Sequence, residues 1–148
     1  MEGIKVITNN KRASYEYFLS SHTEVGIVLL GTEIKSLKVN GCSLNDSYIV
    51  VKNDEAFIIG MHIAHFKQGN IFNHEPLRTR KLLLHKKEIL KLKQKIKEKG
   101  YTLVCTKVYL KNGRAKLEIA LAKGKKNYDK RESEKERTQK KEIEKMKG

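Results

Sequence analysis

Residues Tyr101 to Ala122 constrain this chain more than any other stretch, because they read as two long strands around one turn. The first run is Tyr101-Thr-Leu-Val-Cys-Thr-Lys-Val-Tyr-Leu110 and the second is Ala115-Lys-Leu-Glu-Ile-Ala-Leu-Ala122, with Lys-Asn-Gly-Arg between them. Asn-Gly between β-branched and aromatic runs is the strongest short-range hairpin signal, since both residues accept the positive φ of a type I′ turn. Beyond Ala122 apolar residues nearly vanish, leaving GKKNYDKRESEKERTQKKEIEKMKG after Lys123. A packed body over 1–122 and a basic tail over 123–148 are therefore expected. The tail holds too little apolar surface to bury, so it is expected to be disordered when free.

The 148 residues carry 32 Lys and Arg against 17 Asp and Glu, a formal charge of +15. The tail holds eleven basic and six acidic residues, so +10 of that excess belongs to the body. A body basic in its own right points to a polyanion, and a phosphate backbone is the simplest one; the competing reading is surface lysine kept for solubility. A body of about 120 residues can bury a real core. No apolar run approaches the roughly 18 to 20 residues that span a bilayer, so no membrane partner is expected. The start, MEGIKVITNNKRASYEY, lacks the apolar core of a secretory signal. Cys42 and Cys105 stand far apart without CxxC spacing, which argues against a zinc ribbon or redox pair and for a reducing cytoplasm.

Along the chain, a polar lead from Thr8 to Ser14 precedes Tyr15-Glu-Tyr-Phe-Leu-Ser-Ser21. Glu24-Val-Gly-Ile-Val-Leu-Leu30 follows after His22-Thr23, and the two runs are expected to pair as a hairpin or meander. From Gly31 to Gly41 the pattern predicts a two-turn helix, with Thr32 as cap, Ile34 and Leu37 on one face and Gly41 as stop. The runs 47–52 and 55–63 flank Asn53-Asp54 and predict a second hairpin. A loop rich in Gly, Asn and His then leads to Pro76, the only proline. Between Arg78 and Lys99, ten Lys or Arg accompany Glu88 and Glu98, while Ile89, Leu92 and Ile96 recur at helical spacing. The spacing predicts a helix over 86–99, opening at His85 and closing at Gly100. Its lysine-rich face is either an RNA-facing surface or a solvated helix face, and spacing alone does not choose.

Several short antiparallel strands must close on themselves or pair into a sandwich to hide their edges. A mainly β fold is expected, a small closed antiparallel barrel of the oligonucleotide-binding (OB) type with a helix plugging one end. No catalytic site is predicted. Ser14, Ser20 and Ser21 lack a nucleophile-elbow context, and Glu33 has no second acid at a fixed close offset. No cofactor is predicted, because a G-x-G-x-x-G or other phosphate-cradling loop is absent. No metal is predicted either: His62 and His65 stand three apart at the end of a predicted strand, which sends them to opposite faces, and His22, His74 and His85 lack ligands at binding spacing. Glu33 on its own helix is within reach of Lys35 or Lys38 as a plain ion pair.

Seven blocks occur in a recognisable order: Asn10-Lys-Arg-Ala13, Gly31-Thr-Glu-Ile-Lys-Ser-Leu37, Leu44-Asn-Asp-Ser-Tyr48, Gly60-Met-His-Ile63, Arg80-Lys-Leu-Leu-Leu-His85, Lys111-Asn-Gly-Arg114, and Gly124-Lys-Lys126 with Asp129-Lys-Arg131. In that order the chain from about Asn10 to Arg131 resembles the SmpB family of SsrA-binding proteins. The resemblance implies an OB-fold barrel that binds the tRNA-like domain of transfer-messenger RNA. It implies delivery of that RNA to stalled ribosomes in trans-translation, where the unfinished peptide is tagged for degradation. Carried over by position, Glu33, Leu83 and His85 resemble the patch that takes the elbow of the tRNA-like domain, and Asn10, Lys11 and Arg12 resemble a neighbouring RNA-contact segment. Position 85 is Asn in some members, and either residue can hydrogen-bond a base or ribose. Cys105 stands where many members have proline, and Tyr15 where His is common.

The resemblance also implies that the tail enters the empty messenger channel of the small subunit. Lys125, Lys126, Asp129, Lys130 and Arg131 would lie near the decoding site, with a more distal helix filling the channel; the tail's helix formers suit that role. The partners implied are transfer-messenger RNA and the stalled ribosome, and the free protein is expected to be a monomer. A carboxylate on a basic RNA surface repels phosphates but accepts hydrogen bonds from base amines and the 2′-hydroxyl, which gives Glu33 a reason to be there. Two other readings stay open: a general ribosomal or ribosome-assembly RNA binder, and an RNA-processing enzyme using Glu33 and a histidine.

Overall fold

The hairpin read from Asn112-Gly113 forms and organises the sheet. In the computed structural model, which describes residues 3–68 and 72–125, β6 (Thr102–Lys111) and β7 (Arg114–Gly124) pair antiparallel from Lys111–Arg114 to Thr102–Ala122. Asn112 and Gly113 take φ of 52° and 79°, the geometry of a type I′ turn. The strand runs two residues past Ala122, because Lys123 and Gly124 still pair with Phe18 and Tyr17.

From β7 the sheet continues through β2 (Tyr17–Ile27), β5 (Arg80–Leu83), β4 (Glu55–Ile59) and β3 (Tyr48–Lys52), which returns to β6 at Ile49–Leu103. The ring of antiparallel pairings closes into the expected barrel. β1 (Ile4–Asn9) lies along the same edge of β6 as β3, beside Lys107–Lys111. Three helices complete the described residues: α1 (Lys11–Glu16), α2 (Gly31–Asn40) and α3 (Lys86–Lys99). Leu37 of α2 and Ile89 and Leu92 of α3 are buried, and Leu37 and Leu92 join barrel residues such as Ile58, Leu82, Leu103 and Leu117 in one core.

Several local expectations change. The polar lead is the end of β1 followed by α1, whose start is fixed when Asn10 Oδ1 accepts the Ala13 N–H. Ser20-Ser-His-Thr23 does not reverse the chain, so the expected hairpin there is one strand, β2. Ser21 takes φ of 53°, and one extra residue is absorbed as a bulge between the two stretches paired to β7. The helix at Gly31 runs ten residues, with Leu30 rather than Thr32 at its N-cap. β4 ends at Ile59, because Gly60 turns with φ of 81° against the Asp46 carbonyl; only the Ser43–His62 bridge continues the pairing. β5, a four-residue strand, lies in what composition marks only as a basic stretch. α3 spans the predicted residues and ends at Gly100 in the left-handed region.

Candidate RNA-binding surface

Beneath the junction of α2 and β5 lies a buried ionic knot. Glu33, third residue of α2, is fully buried, and its carboxylate accepts four hydrogen bonds. Oε1 takes the Leu30 N–H at 2.7 Å and Arg78 Nη2 at 2.6 Å, while Oε2 takes Arg78 Nε at 3.2 Å and Arg80 Nε at 2.5 Å. The Leu30 bond closes the first turn of α2 from the side-chain end, as in half of a capping box. Burial pushes the Glu33 carboxyl up, but the bonds from Arg78, Leu30 and Arg80 outweigh it and hold the group below the ordinary carboxylate range. Burial in turn draws the Arg80 guanidinium down, with Glu33 opposing. The carboxylate read as an RNA contact, with a plain ion pair to Lys35 or Lys38 as the alternative, is instead buried against two arginines forty-five and forty-seven residues away.

Arg80 is completely buried, and it also donates through Nη1 to the Met61 carbonyl and through Nη2 to the Pro76 carbonyl. Above it residues from the stretches 63–66 and 73–74 are tied to α2 and to each other. His74 is buried: its Nε2–H donates to the Ile63 carbonyl, so its Nδ1 accepts from the Thr32 hydroxyl. Ser36 donates to the Ala64 carbonyl at 2.6 Å, and Asn73 brackets Phe66 with bonds to both backbone groups. Neither Glu33 nor His74 presents an open acid or base, which removes the arrangement that an RNA-processing mechanism on Glu33 and a histidine requires.

Outward from this knot, β5 alternates: Arg80 and Leu82 point in, Lys81 and Leu83 out. Leu83 is half exposed and packs across Gly26, its cross-strand partner on β2. His85 follows as the N-cap of α3; its carbonyl accepts from Glu88 and Ile89, while its exposed imidazole makes no capping bond. Leu83 and His85 are therefore adjacent surface groups, and Glu33 lies under the other end of the same strand.

Asn10, Lys11 and Arg12 sit elsewhere. Tyr17, at the α1 end of β2, and Gly26, beside Leu83, stand near opposite ends of that eleven-residue strand. Asn10 is half-buried and fully engaged: besides capping α1, its Nδ2 donates to the Cys105 carbonyl and its N–H to Thr106, at the bulge in β6. Lys11 and Arg12 are exposed, with Arg12 bridging Glu16 at 3.1 Å. The two predicted groups are not one patch; α3 runs between them. It starts at His85, and its Lys93 and Ile96, two to three turns along, line the same groove as Asn10 and Arg12.

Lys125 is the one predicted tail residue within the described region. Its N–H donates to the Glu16 carbonyl, its Nζ to the Ser14 carbonyl, and the ammonium stands 5.2 Å from the centre of the Phe18 ring. The chain thus leaves the barrel against α1. Lys126, Asp129, Lys130 and Arg131, with the expected disorder and induced helix of the tail, lie outside the described residues.

Residue reasoning missed Arg78 and Arg80. The available signal was two arginines two apart in a stretch otherwise built of lysine, since guanidinium is the cation suited to buried, bidentate pairing. Among the described residues no group of three metal-ligating side chains comes together, and no helix is long and apolar enough to cross a membrane.

The family described as SmpB protein matches residues 7–148. The SsrA-binding protein of Bacillus subtilis (strain 168) is 54% identical over 140 residues, covering 95% of this chain and 90% of the relative. That of Desulfitobacterium hafniense (strain DSM 10664 / DCB-2) is 50% identical over 143 residues, covering 97% and 92%. A solved structure described as "tmRNA-SmpB: a journey to the center of the bacterial ribosome" superposes with a TM-score of 0.68 at 38% identity, covering 83% of this chain and 87% of that one.

Proposed function

From the premise that this chain belongs to the SmpB family, we propose that it binds the tRNA-like domain of transfer-messenger RNA and carries that RNA to stalled ribosomes for trans-translation. The observation that carries this reading is likeness to SsrA-binding proteins along nearly the whole chain, tail included. The physical chemistry agrees with it. A barrel with a net positive body attracts RNA phosphates without regard to sequence, and discrimination has to come from contacts to bases, riboses and the shape of the fold.

Leu83 and His85 supply such contacts: one half-exposed leucine for a ribose or base face, and one imidazole able to donate or accept at a base edge or 2′-hydroxyl. Lys11 and Arg12 on α1 contribute a second contact, separated from the first by the length of α3's early turns and its lysines, an arrangement suited to a folded RNA rather than a short strand. The tail would act on the ribosome, through Lys125, Lys126, Asp129, Lys130 and Arg131 at the decoding site and the distal residues in the messenger channel. The setting is the cytoplasm, and the role is that of an adapter, not a catalyst.

The deciding experiment is competition at moderate salt, with transfer-messenger RNA set against bulk tRNA for the full-length protein. Selective retention of transfer-messenger RNA is expected. Equal capture of all structured RNAs would sink the proposal in favour of a general ribosomal or assembly factor.

A further inference from the structure

The buried knot holds one carboxylate and two guanidiniums, so it carries one positive charge more than it neutralises. Arg80 is not where that charge can be used, being sealed in and bonded to Glu33, Met61 and Pro76. Arg78 is different. About a third of its side chain is exposed, and Nε and Nη2 grip the two oxygens of Glu33, with Nη2 also donating to the Val28 carbonyl. Nη1 makes only a long, exposed contact of 3.5 Å to the Thr79 carbonyl. One side of the guanidinium is therefore fixed in place while another meets solvent.

Its surroundings also face outward. Val28, Leu30 and Leu77 are each roughly half exposed, and Lys81 and Leu83 follow along the outer face of β5. Half-exposed aliphatic side chains grouped around a held cation form a surface that takes the apolar face of a ribose or base next to a phosphate.

Resting on the RNA-binding reading above, we infer that Arg78 is a phosphate-binding residue of the RNA interface and that Glu33 is its positioning residue, acting from beneath the surface without touching RNA. A guanidinium locked by a carboxylate has little rotamer freedom left to lose on binding, and its planar fork suits a phosphate. The acid in the basic surface is then explained by the arginine it holds and not by a base it reads. The RNA surface extends from His85 and Leu83 along β5 to Arg78.

The test is binding of full-length wild type, Arg78→Gln and Arg78→Lys to a tRNA-like-domain RNA and to an unrelated hairpin RNA of equal length, over a salt series. Arg78→Gln leaves Glu33 paired to Arg80 and should fold. It should lose about tenfold in affinity for the tRNA-like RNA, and its log–log salt slope should flatten by about 0.7 to 0.9, one phosphate contact. Arg78→Lys should keep the slope and recover only part of the affinity. An unchanged slope in folded Arg78→Gln overturns the inference. Should wild type show no preference for the tRNA-like RNA, the functional reading fails instead.

Glu33→Gln adds a second readout. If Glu33 acts through Arg78, its effect on affinity disappears in the Arg78→Gln background; an effect that persists there means Glu33 touches RNA, and overturns the positioning role. Should Glu33→Gln not fold, the two Arg78 variants decide alone.

Discussion

Glu33→Gln is the sharpest test of how the barrel is held together, because it changes charge and almost no volume. Wild-type Glu33 and Arg80 are both fully buried, and Arg80 has no route to water for its charge. Removing one partner of a buried pair and leaving the other costs about 3–5 kcal/mol, far more than the pair itself contributes relative to apolar residues. The Arg78 bridge, a third exposed on the arginine side, adds at most about 1 kcal/mol after solvent screening. The Leu30 cap bond survives, since a glutamine oxygen can accept it. A body of about 120 residues shifts by roughly 3–5 °C per kcal/mol, so Glu33→Gln should lower Tm by about 10–20 °C, while Arg78→Gln lowers it by no more than about 5 °C. Thermal and urea unfolding followed by circular dichroism reads both, with an unchanged urea m-value confirming that stability alone has moved. Replacing Glu33 and Arg80 together by methionine should recover most of the loss. Equal, small losses in Glu33→Gln and Arg78→Gln would refute the claim that the knot is an electrostatically closed unit.

Acid should reproduce part of that loss. The Glu33 carboxyl sits below its ordinary range when folded, so its contribution is complete above the unfolded-state pKa and fades as pH falls through the folded one; the stability gap between wild type and Glu33→Gln should narrow below about pH 4. Gly60→Ala should cost roughly 2–4 kcal/mol in urea unfolding, since its Cβ would stand 2.4 Å from the Asp46 carbonyl oxygen at φ of 81°. Truncation after Lys125, which spares every described contact of β7, should leave RNA affinity within about twofold and abolish peptide tagging in a reconstituted translation system. An affinity loss as large as the tagging loss would tie the tail to RNA capture instead.

The hairpins and α3 were legible because their signals are local. Asn112-Gly113 and Asn53-Asp54 dictate positive φ, and Ile89, Leu92 and Ile96 repeat at helical period before Gly100. What was not legible depends on partners distant in sequence. Ser20-Ser-His-Thr23 has the composition of a turn, yet β7 pairs with both flanks and converts it to a bulge. β5 has only four residues and draws its strand character from β4 and β2 on either side. The closing of the barrel was readable from edge avoidance, but the three-way pairing of β6, with β7 on one edge and β3 and β1 sharing the other, was not.

The same distinction runs through the RNA surface. Asn, Glu, Arg and His have the hydrogen-bonding capacity to read RNA, and that capacity serves equally well inside a protein. Asn10 uses it on the β6 bulge, Glu33 on two arginines and His74 on Thr32 and Ile63, whereas His85, beside the exposed Leu83, keeps its own at the surface. Residue type marks all of them as candidates, and only burial separates those left open to a ligand from those spent inside the protein. Asn10→Ala makes the distinction measurable. It should cost about 1–2 kcal/mol through the lost α1 cap and speed amide exchange at Ala13, and it should weaken RNA binding only as far as Lys11 and Arg12 lose their fixed helix. A variant with full stability and a large affinity loss would show that Asn10 contacts RNA directly.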